Sequence, residues 1–197
     1  LERKQLTCGT TWHAAGLVSM LWPTPTLTNL AKYCHELYAN LEEETGQATG
    51  YKQIGSLSLA RNKERLEELK RNASMAKVFG VKSEILGPNE ICQLYPGLSS
   101  EGILGALHIE KDGQTNPIDT TMALAKGAQN RGAKVIESAK VNRILTDKSK
   151  VIGVTVGEEK IKCKRVILTG GLWSRDIAAS LNVHLPLYAC EHYFVVT

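Results

Sequence analysis

A run of small and aromatic residues near the start of the chain is the first pattern suited to chemistry. Residues 7–16 read T-C-G-T-T-W-H-A-A-G, and His13 lies beside Trp12. Four positions in this run have little or no side chain: Gly9, Ala14, Ala15 and Gly16. Backbone amides at such positions can approach a large flat or phosphorylated ligand closely. The residues alone leave two interpretations open: a ligand-binding loop with a reactive imidazole, or a loop with a packed aromatic and an incidental histidine.

An acidic residue, Glu2, precedes this run. In dinucleotide-binding βαβ units, an acidic residue about 20 positions after a glycine fingerprint ends the second strand and holds the ribose hydroxyls. No G-x-G-x-x-G occurs in the sequence. Taken by itself, Glu2 is therefore interpreted as a surface acid rather than as a ribose ligand.

The other histidines and the cysteines show no pattern of a metal or nucleophilic centre. His35 is expected to be solvated on a helix, and His108 and His184 to be structural. No His, Cys, Asp and Glu cluster has metal-ligand spacing, and there is no G-x-S-x-G. The five cysteines are scattered without a C-x-x-C, which favours reduced thiols in an intracellular compartment.

Composition excludes several classes of function. Of the 197 residues, 43% are hydrophobic and 22% charged, an ordinary balance for a folded domain. The net charge of +4 is spread along the chain, and the densest charged stretch, 61–71, alternates in sign. That alternation suits a solvated helix face better than nucleic-acid binding. No apolar run approaches the roughly 20 residues of a membrane span. The chain does not begin with Met, so the lack of a signal peptide carries little weight.

Hydrophobic periodicity predicts the elements that position these residues. Helices are expected over 27–44, ending at Gly46, and over 63–79. Shorter helices should start at Pro88 and Trp173, and Asp119 or Thr120 should cap a helix that runs to Asn130. Strands are predicted at 54–60, 81–86, 104–109, 134–137, 141–146, 151–156, 165–169 and 192–197. The apolar run 165–169 is of a kind that is buried on both faces.

The order of elements indicates an α/β fold. Both ends have βαβ character, while residues 49–110 have more antiparallel character. We therefore predict a nucleotide-binding domain over 1–47 and 111–181. A second domain of mixed α+β type, made of 48–110 and 182–197, should interrupt it.

The motifs together resemble one family along essentially the whole chain. The specific part is E-R-x-x-L-T-x-G-T-T-W-H-A-A-G-L at residues 2–17, which is similar to the flavin-binding segment of sarcosine and dimethylglycine dehydrogenases. These belong to the D-amino-acid-oxidase-like flavoproteins. Further motifs follow in family order: L-E-E-E-T-G at 41–46, G-S-L at 55–57, D-G-Q-T-N-P at 112–117, G-G-x-W at 170–173 and E-H-Y-F-V-V-T at 191–197. The resemblance implies an FAD-binding Rossmann-like domain, incomplete at its N-terminus, interleaved with a substrate domain incomplete at its C-terminus.

The resemblance also implies roles for individual residues. Glu2 would bind the adenosine ribose with Arg3 beside it, and Val141 matches a position whose main chain meets the adenine. His13 matches the histidine that links FAD covalently through its 8α-methyl carbon. Wrapping of the pyrophosphate and isoalloxazine would fall to Gly9, Thr10, Thr11, Trp12, His13, Ala14, Ala15, Gly16 and Leu17. The second strand-to-helix turn near the cofactor would consist of Gly170, Gly171 and Trp173.

His192 matches a histidine on the substrate side of the flavin, and is the candidate catalytic residue. The family has His-x-Tyr here, whereas this chain has His192-Tyr193-Phe194. The phenol has moved to a neighbouring position, which faces the other side of a strand. A hydrogen bond from that tyrosine is therefore not implied for this chain.

The activity implied is oxidative N-demethylation of a small methylated amine such as sarcosine or dimethylglycine, with hydride passing to flavin N5. Electrons would leave to an acceptor such as an electron-transfer flavoprotein, or to oxygen in a related oxidase. Tetrahydrofolate would be used by a C-terminal region outside these residues. The family is found in the mitochondrial matrix in animals, and bacterial members are expected in the cytoplasm. A non-catalytic alternative is a regulator resembling the pyruvate dehydrogenase phosphatase regulatory subunit, which is expected to lack the flavin-linking histidine.

Overall fold

The computed structural model describes residues 1–193, which form two compact units. The central unit is Thr10–Gly132. The terminal unit combines Leu1–Gly9 with the described residues from Ala133 onward. In the central unit the elements are a 3₁₀ helix (Thr11–His13), β1 (Leu17–Val18), α1 (Pro25–Thr45), β2 (Lys52–Gln53), β3 (Ser56–Ala60), α2 (Lys63–Val78), β4 (Glu84–Leu86), α3 (Pro88–Leu94), β5 (Gly105–Ile109), β6 (Gly113–Gln114) and α4 (Pro117–Asn130). Those of the terminal unit are β7 (Val141–Asp147), β8 (Lys150–Val156), β9 (Glu159–Lys162), a 3₁₀ helix (Gly171–Trp173) and α5 (Ser174–Ala179).

The long helix α1 is fixed by local sequence at both ends. The Thr24 side chain accepts a hydrogen bond from the Leu27 N–H, and Pro25 occupies the first turn, where no backbone donor is needed. Gly46 ends the helix at φ +66°, a left-handed conformation that favours glycine. The predicted helix and its stop are thus confirmed, with the start two residues earlier than expected.

The middle of the chain forms an antiparallel sheet in the order β3-β5-β4. Leu107 and Ile109 of β5 pack against Leu69 and Ala76 of α2, so one face of the sheet is covered by that helix. The core there is made of Met20, Ala60, Leu69, Ala76, Val81, Leu107 and Ile109. The predicted antiparallel character of this region is confirmed.

The start of α4 differs from the sequence prediction. Asn116, rather than Asp119 or Thr120, caps the helix, because its side-chain oxygen accepts from the Ile118 and Asp119 N–H groups at 3.0 and 3.3 Å. Pro117 then takes the first helical position. Thr120 is instead buried inside the first turn.

The terminal unit contains an antiparallel meander, β7-β8-β9. Strands β7 and β8 confirm two predictions, whereas β9 was not predicted because all four of its side chains are exposed. Predicted strands at 134–137 and 165–169 are wrong. A strand requires a hydrogen-bonded partner, and within residues 1–193 no strand pairs with 165–169; Ile167 is consequently 86% exposed.

The three sheets of the described residues are all antiparallel, so the βαβ character expected at the two ends is not seen there. Helices and sheets are nonetheless mixed along the chain, in keeping with the predicted α/β class. The two units are the parts of the chain that pack most closely within themselves. The predicted domains are defined differently, by whether their residues bind the cofactor or the substrate. The domain boundaries at 47, 110 and 181 therefore stay a prediction.

Candidate functional site

The Trp12–His13 pair lies on the surface of the central unit. Residues 11–13 form a single 3₁₀ turn, closed by hydrogen bonds from the His13 N–H to the Thr10 carbonyl (3.2 Å) and from the Ala14 N–H to the Thr11 carbonyl (3.1 Å). The two rings stack with centroids 3.6 Å apart, tilted by 33°. Trp12 is 52% exposed, and Thr10, His13, Ala14 and Ala15 are exposed as well. Trp12 is therefore not a core aromatic, which favours the ligand-binding interpretation of this run.

Gly16 is locked against a distant turn. It is buried at φ +78°, and a Cβ atom there would lie 2.1 Å from the Thr115 carbonyl oxygen. The Thr115 N–H donates to the Gly16 carbonyl at 2.9 Å. Leu17 and Val18 then pair with Gln114 and Gly113 across β1 and β6, and the Leu17 side chain is exposed. Only glycine allows this close approach.

Asp112 lies next to this turn and is buried. Its side chain is 3% exposed; the carboxylate accepts from the Met20 N–H at 2.7 Å and from the Ser56 hydroxyl at 2.6 Å. The Gly55 N–H donates to the Asp112 carbonyl at 2.8 Å. In the sequence, Asp112 stands out only as the first residue of the D-G-Q-T-N-P motif. Its burial depends on residues 92 positions away in the chain, which local sequence does not show.

The prediction that His35 is solvated is wrong. The residue is 5% exposed, not solvated, because it lies on the α1 face that also buries Ala31. Its Nδ1 and the Tyr51 hydroxyl are 2.9 Å apart, whereas its Nε2 is buried without a hydrogen-bond partner among the described residues. Burial lowers the pKa of His35, and the Asp112 carboxylate and the Val18 backbone oppose that shift. Burial also raises the pKa of Tyr51, as does the nearby Asp112 charge.

A cavity of about 500 Å³ lies beside the Trp12 side chain. Its other walls are Gly50 and residues 114–118. The pocket is open to solvent, and its volume is within the range of small-molecule sites. The flavin-binding run predicted from sequence thus borders a cavity within its own unit.

In the terminal unit, two of the predicted residues come together and a third is fixed by the chain around it. The Glu2 N–H donates to the Ile136 carbonyl, and the Ala139 N–H to the Glu2 carbonyl, both at 2.8 Å. One Glu2 carboxylate oxygen accepts from the Lys4 N–H at 2.9 Å. Within residues 1–193, the other oxygen makes no hydrogen bond. The Arg3 guanidinium carbon lies 5.2 Å from the centre of the Trp173 ring, a cation–π contact.

The remaining predicted cofactor residues of this unit have separate settings. Val141 is half-buried and opens β7, two residues after Ala139. Gly170 and Gly171 lead into the 3₁₀ helix that carries Trp173, and Gly171 has φ +56°. A side chain at Gly9 would meet no atom within 4 Å.

His192 lies in an exposed segment without regular structure. Beside it, the Tyr193 hydroxyl donates to the Glu191 carboxylate at 3.4 Å. Residues 194–197 of the predicted final strand lie outside the described residues. The catalytic role of His192 stays a prediction.

The rest of the described chain adds no metal or membrane feature. Across residues 1–193 there is no group of three or more His, Cys, Asp or Glu side chains able to hold a metal ion. Over the same range, no helix has the length and apolarity to cross a membrane. All five cysteines are free thiols.

Curated proteins of known sequence match the chain over its full length. It is 41% identical over 195 residues to 4-methylaminobutanoate oxidase (formaldehyde-forming) of Paenarthrobacter nicotinovorans, covering 99% of this chain and 24% of that protein. It is 39% identical over 203 residues to human mitochondrial sarcosine dehydrogenase, covering 100% and 22%. The mitochondrial pyruvate dehydrogenase phosphatase regulatory subunit of Mus musculus is 34% identical over 199 residues, covering 100% and 23%. The chain thus spans about a quarter of the length of these relatives.

Solved structures share the fold. The L-proline dehydrogenase of P. horikoshii superposes with a TM-score of 0.86 at 26% identity, over 93% of this chain and 48% of that one. A glycine oxidase of Bacillus cereus gives 0.77 at 29% identity, over 91% and 51%. The fold is therefore an incomplete D-amino-acid-oxidase-like FAD-binding architecture, as predicted. The profile of the family described as "DAO: FAD dependent oxidoreductase" matches residues 1–197, so the chain belongs to the FAD dependent oxidoreductase family.

Proposed function

We propose that the whole protein is an FAD-dependent amine dehydrogenase that removes an N-methyl group from a small amine such as sarcosine or dimethylglycine. The observation that carries this proposal is the exposed His13 beside Trp12, on a glycine-locked segment that borders a cavity. Relatives named for oxidation of sarcosine and 4-methylaminobutanoate support the substrate class.

The residues present suit FAD in chemistry. In the central unit, Thr10, Ala14 and Ala15 offer small exposed side chains, and Trp12 offers an aromatic wall to the pocket beside it. In the terminal unit, Glu2 is held with one carboxylate oxygen in a hydrogen bond to its own turn, which leaves the other for a ribose hydroxyl. Arg3 is held over Trp173, where its charge would accompany the dinucleotide. Gly9 leaves open space for a phosphate to approach the backbone.

When bound, FAD supplies the two-electron acceptor for the hydride of the N-methyl carbon. In our proposal, His13 is the attachment point, because a neutral imidazole nitrogen is a competent nucleophile for the 8α carbon. Forming that C–N bond removes one hydrogen from the methyl carbon and one from the imidazole. It is therefore a two-electron oxidation that requires an acceptor such as dioxygen. Such a linkage would withdraw electron density from the flavin ring and so make it a stronger oxidant.

His192 is proposed to accept the proton of the substrate amine. A protonated amine has no lone pair with which to form the iminium product, so a base that removes this proton aids the reaction. Replacing His192 by Ala in the full-length protein should lower the rate of flavin reduction by sarcosine about tenfold or more, and change its pH profile. Stopped-flow reduction rates that match the parent at every pH would show that His192 has no such role.

Electrons are proposed to leave to an acceptor such as an electron-transfer flavoprotein. The carbon would be released as formaldehyde or taken by tetrahydrofolate in a region beyond these residues. A protein of animal origin is proposed to act in the mitochondrial matrix, and a bacterial one in the cytoplasm.

The covalent flavin is the sharpest test of the proposal. The purified full-length protein should give a yellow pellet after acid precipitation, and His13→Ala should give a colourless pellet with flavin in the supernatant. Trp12→Phe is the matched control, since it keeps the imidazole and changes only its neighbour. If the parent pellet is colourless, the covalent linkage is refuted. If the parent also retains no flavin in solution, the regulator similar to the phosphatase subunit becomes the better reading.

A further inference from the structure

We call residues 13–20 the His13 segment. Its last residue, Met20, donates its N–H to the buried carboxylate of Asp112. Three contacts fix the chain after His13: Gly16 bonds to Thr115, β1 pairs with β6, and the Met20 N–H donates to the Asp112 carboxylate at 2.7 Å. The first two contacts join backbone groups only. The third is a charge-assisted bond, shorter and stronger than an amide–amide bond.

Asp112 is itself tied to the rigid part of the central unit. Its N–H donates to the Ile109 carbonyl at 3.2 Å, and its carbonyl accepts from Gly55 at 2.8 Å. Its second carboxylate oxygen accepts from the Ser56 hydroxyl at the start of β3. The carboxylate therefore connects the sheet β3-β5-β4 to the last residue of the His13 segment, and at 3% exposure it is shielded from water.

We propose that Asp112 is a positioning residue for His13, one that sets where the imidazole lies beside Trp12 and thereby controls covalent attachment of the flavin. This rests on the covalent linkage in the proposed function. Misplacement of a reacting group by about 1 Å can cost on the order of a hundredfold in rate, so loss of one anchor is a measurable perturbation.

The chain offers variants that separate positioning from general stability. Asp112→Ala removes both side-chain bonds, whereas Ser56→Ala removes only the one that does not reach the His13 segment. Asp112→Asn can keep both, because its oxygen accepts from Met20 and its amide donates to the Ser56 hydroxyl. Asp112→Glu keeps the charge but moves the oxygens by one methylene.

The experiment reconstitutes the full-length apoprotein with saturating FAD and follows flavin fluorescence that remains with denatured protein. We expect Asp112→Ala to lower the rate of covalent incorporation about tenfold or more, with Ser56→Ala and Asp112→Asn within about threefold of the parent. Equal rates for Asp112→Ala and Ser56→Ala overturn the proposal. If Asp112→Ala does not fold, the comparison of Asp112→Glu with Asp112→Asn decides: a slow Glu variant supports positioning, and equal rates refute it.

The proposed function fails in a different way. A parent protein that binds FAD but never links it refutes the linkage, and the role of Asp112 with it. A parent that links flavin, with Asp112→Ala equally fast, overturns the role of Asp112 alone.

Discussion

Replacing Gly16 by Ala tests whether the His13 segment depends on its close contact with residues 112–116. Gly16 has φ +78°, where a residue with a Cβ costs about 1–2 kcal/mol. The added Cβ would also stand 2.1 Å from the Thr115 carbonyl oxygen, so the backbone must separate. Loss of the 2.9 Å hydrogen bond between Thr115 and Gly16 in a buried setting costs a further 1–3 kcal/mol or so. Together these give about 2–5 kcal/mol of local destabilisation.

Amide hydrogen exchange of the full-length protein measures this local opening directly. A loss of about 2–5 kcal/mol corresponds to exchange faster by about 30-fold to several thousand-fold in peptides that cover 16–20 and 112–116. Gly97→Ala is the matched control, because Gly97 is exposed and no atom lies within 4 Å of the added Cβ. Its exchange should stay within about threefold of the parent, since surface substitutions change stability little. Gly16→Ala exchanging in both peptides as slowly as Gly97→Ala would refute the dependence on this contact.

Two further predictions concern ionisable groups. In a His13→Ala background, where no covalent bond can mask the effect, Glu2→Ala should weaken FAD binding by about 1.5–3 kcal/mol in a titration; unchanged affinity argues against the ribose role. Burial lowers the pKa of His35 in the folded state below the histidine value of about 6.5. At pH values just below 6.5 the unfolded chain therefore binds more protons than the folded one, so the free energy of unfolding should fall as the pH drops through that range. His35→Gln, which can still accept from Tyr51, should flatten the fall of melting temperature between pH 7.5 and 5, values chosen to bracket a pKa of about 6.5; an unchanged slope would exclude His35 as its source.

Local sequence was sufficient where a structure depends on neighbours in the chain. Gly46 ends α1 as expected, because its left-handed conformation is a property of one residue. Pro88 opens α3 for the same kind of reason. The cap of α4 was misplaced by three or four residues, because Asp119, Thr120 and Asn116 are all capable of capping and only the observed hydrogen bonds select Asn116.

Some features of the candidate site were likewise predictable from local sequence, and others were not. The small residues and His13 in 7–16 were visible in sequence, and the structure shows His13 exposed beside Trp12, which lines a pocket. The ribose role of Glu2 and the role of His192 rest on family resemblance and stay predictions. The contact of Arg3 with Trp173 joins residues 170 positions apart, and only the fold brings them together.

The sequence alone determined the family and the elements whose ends are set by single residues, and it predicted that residues 7–16 bind the flavin. Only the tertiary structure decided that Asp112 and His35 are buried, and that 165–169 has no partner strand among the described residues. Burial and strand pairing are sums over residues distant in sequence, so a residue's own type and near neighbours do not fix them. The freedom of glycine to adopt a positive φ and the fixed φ of proline are properties of the residue types themselves, so the sequence alone reveals them.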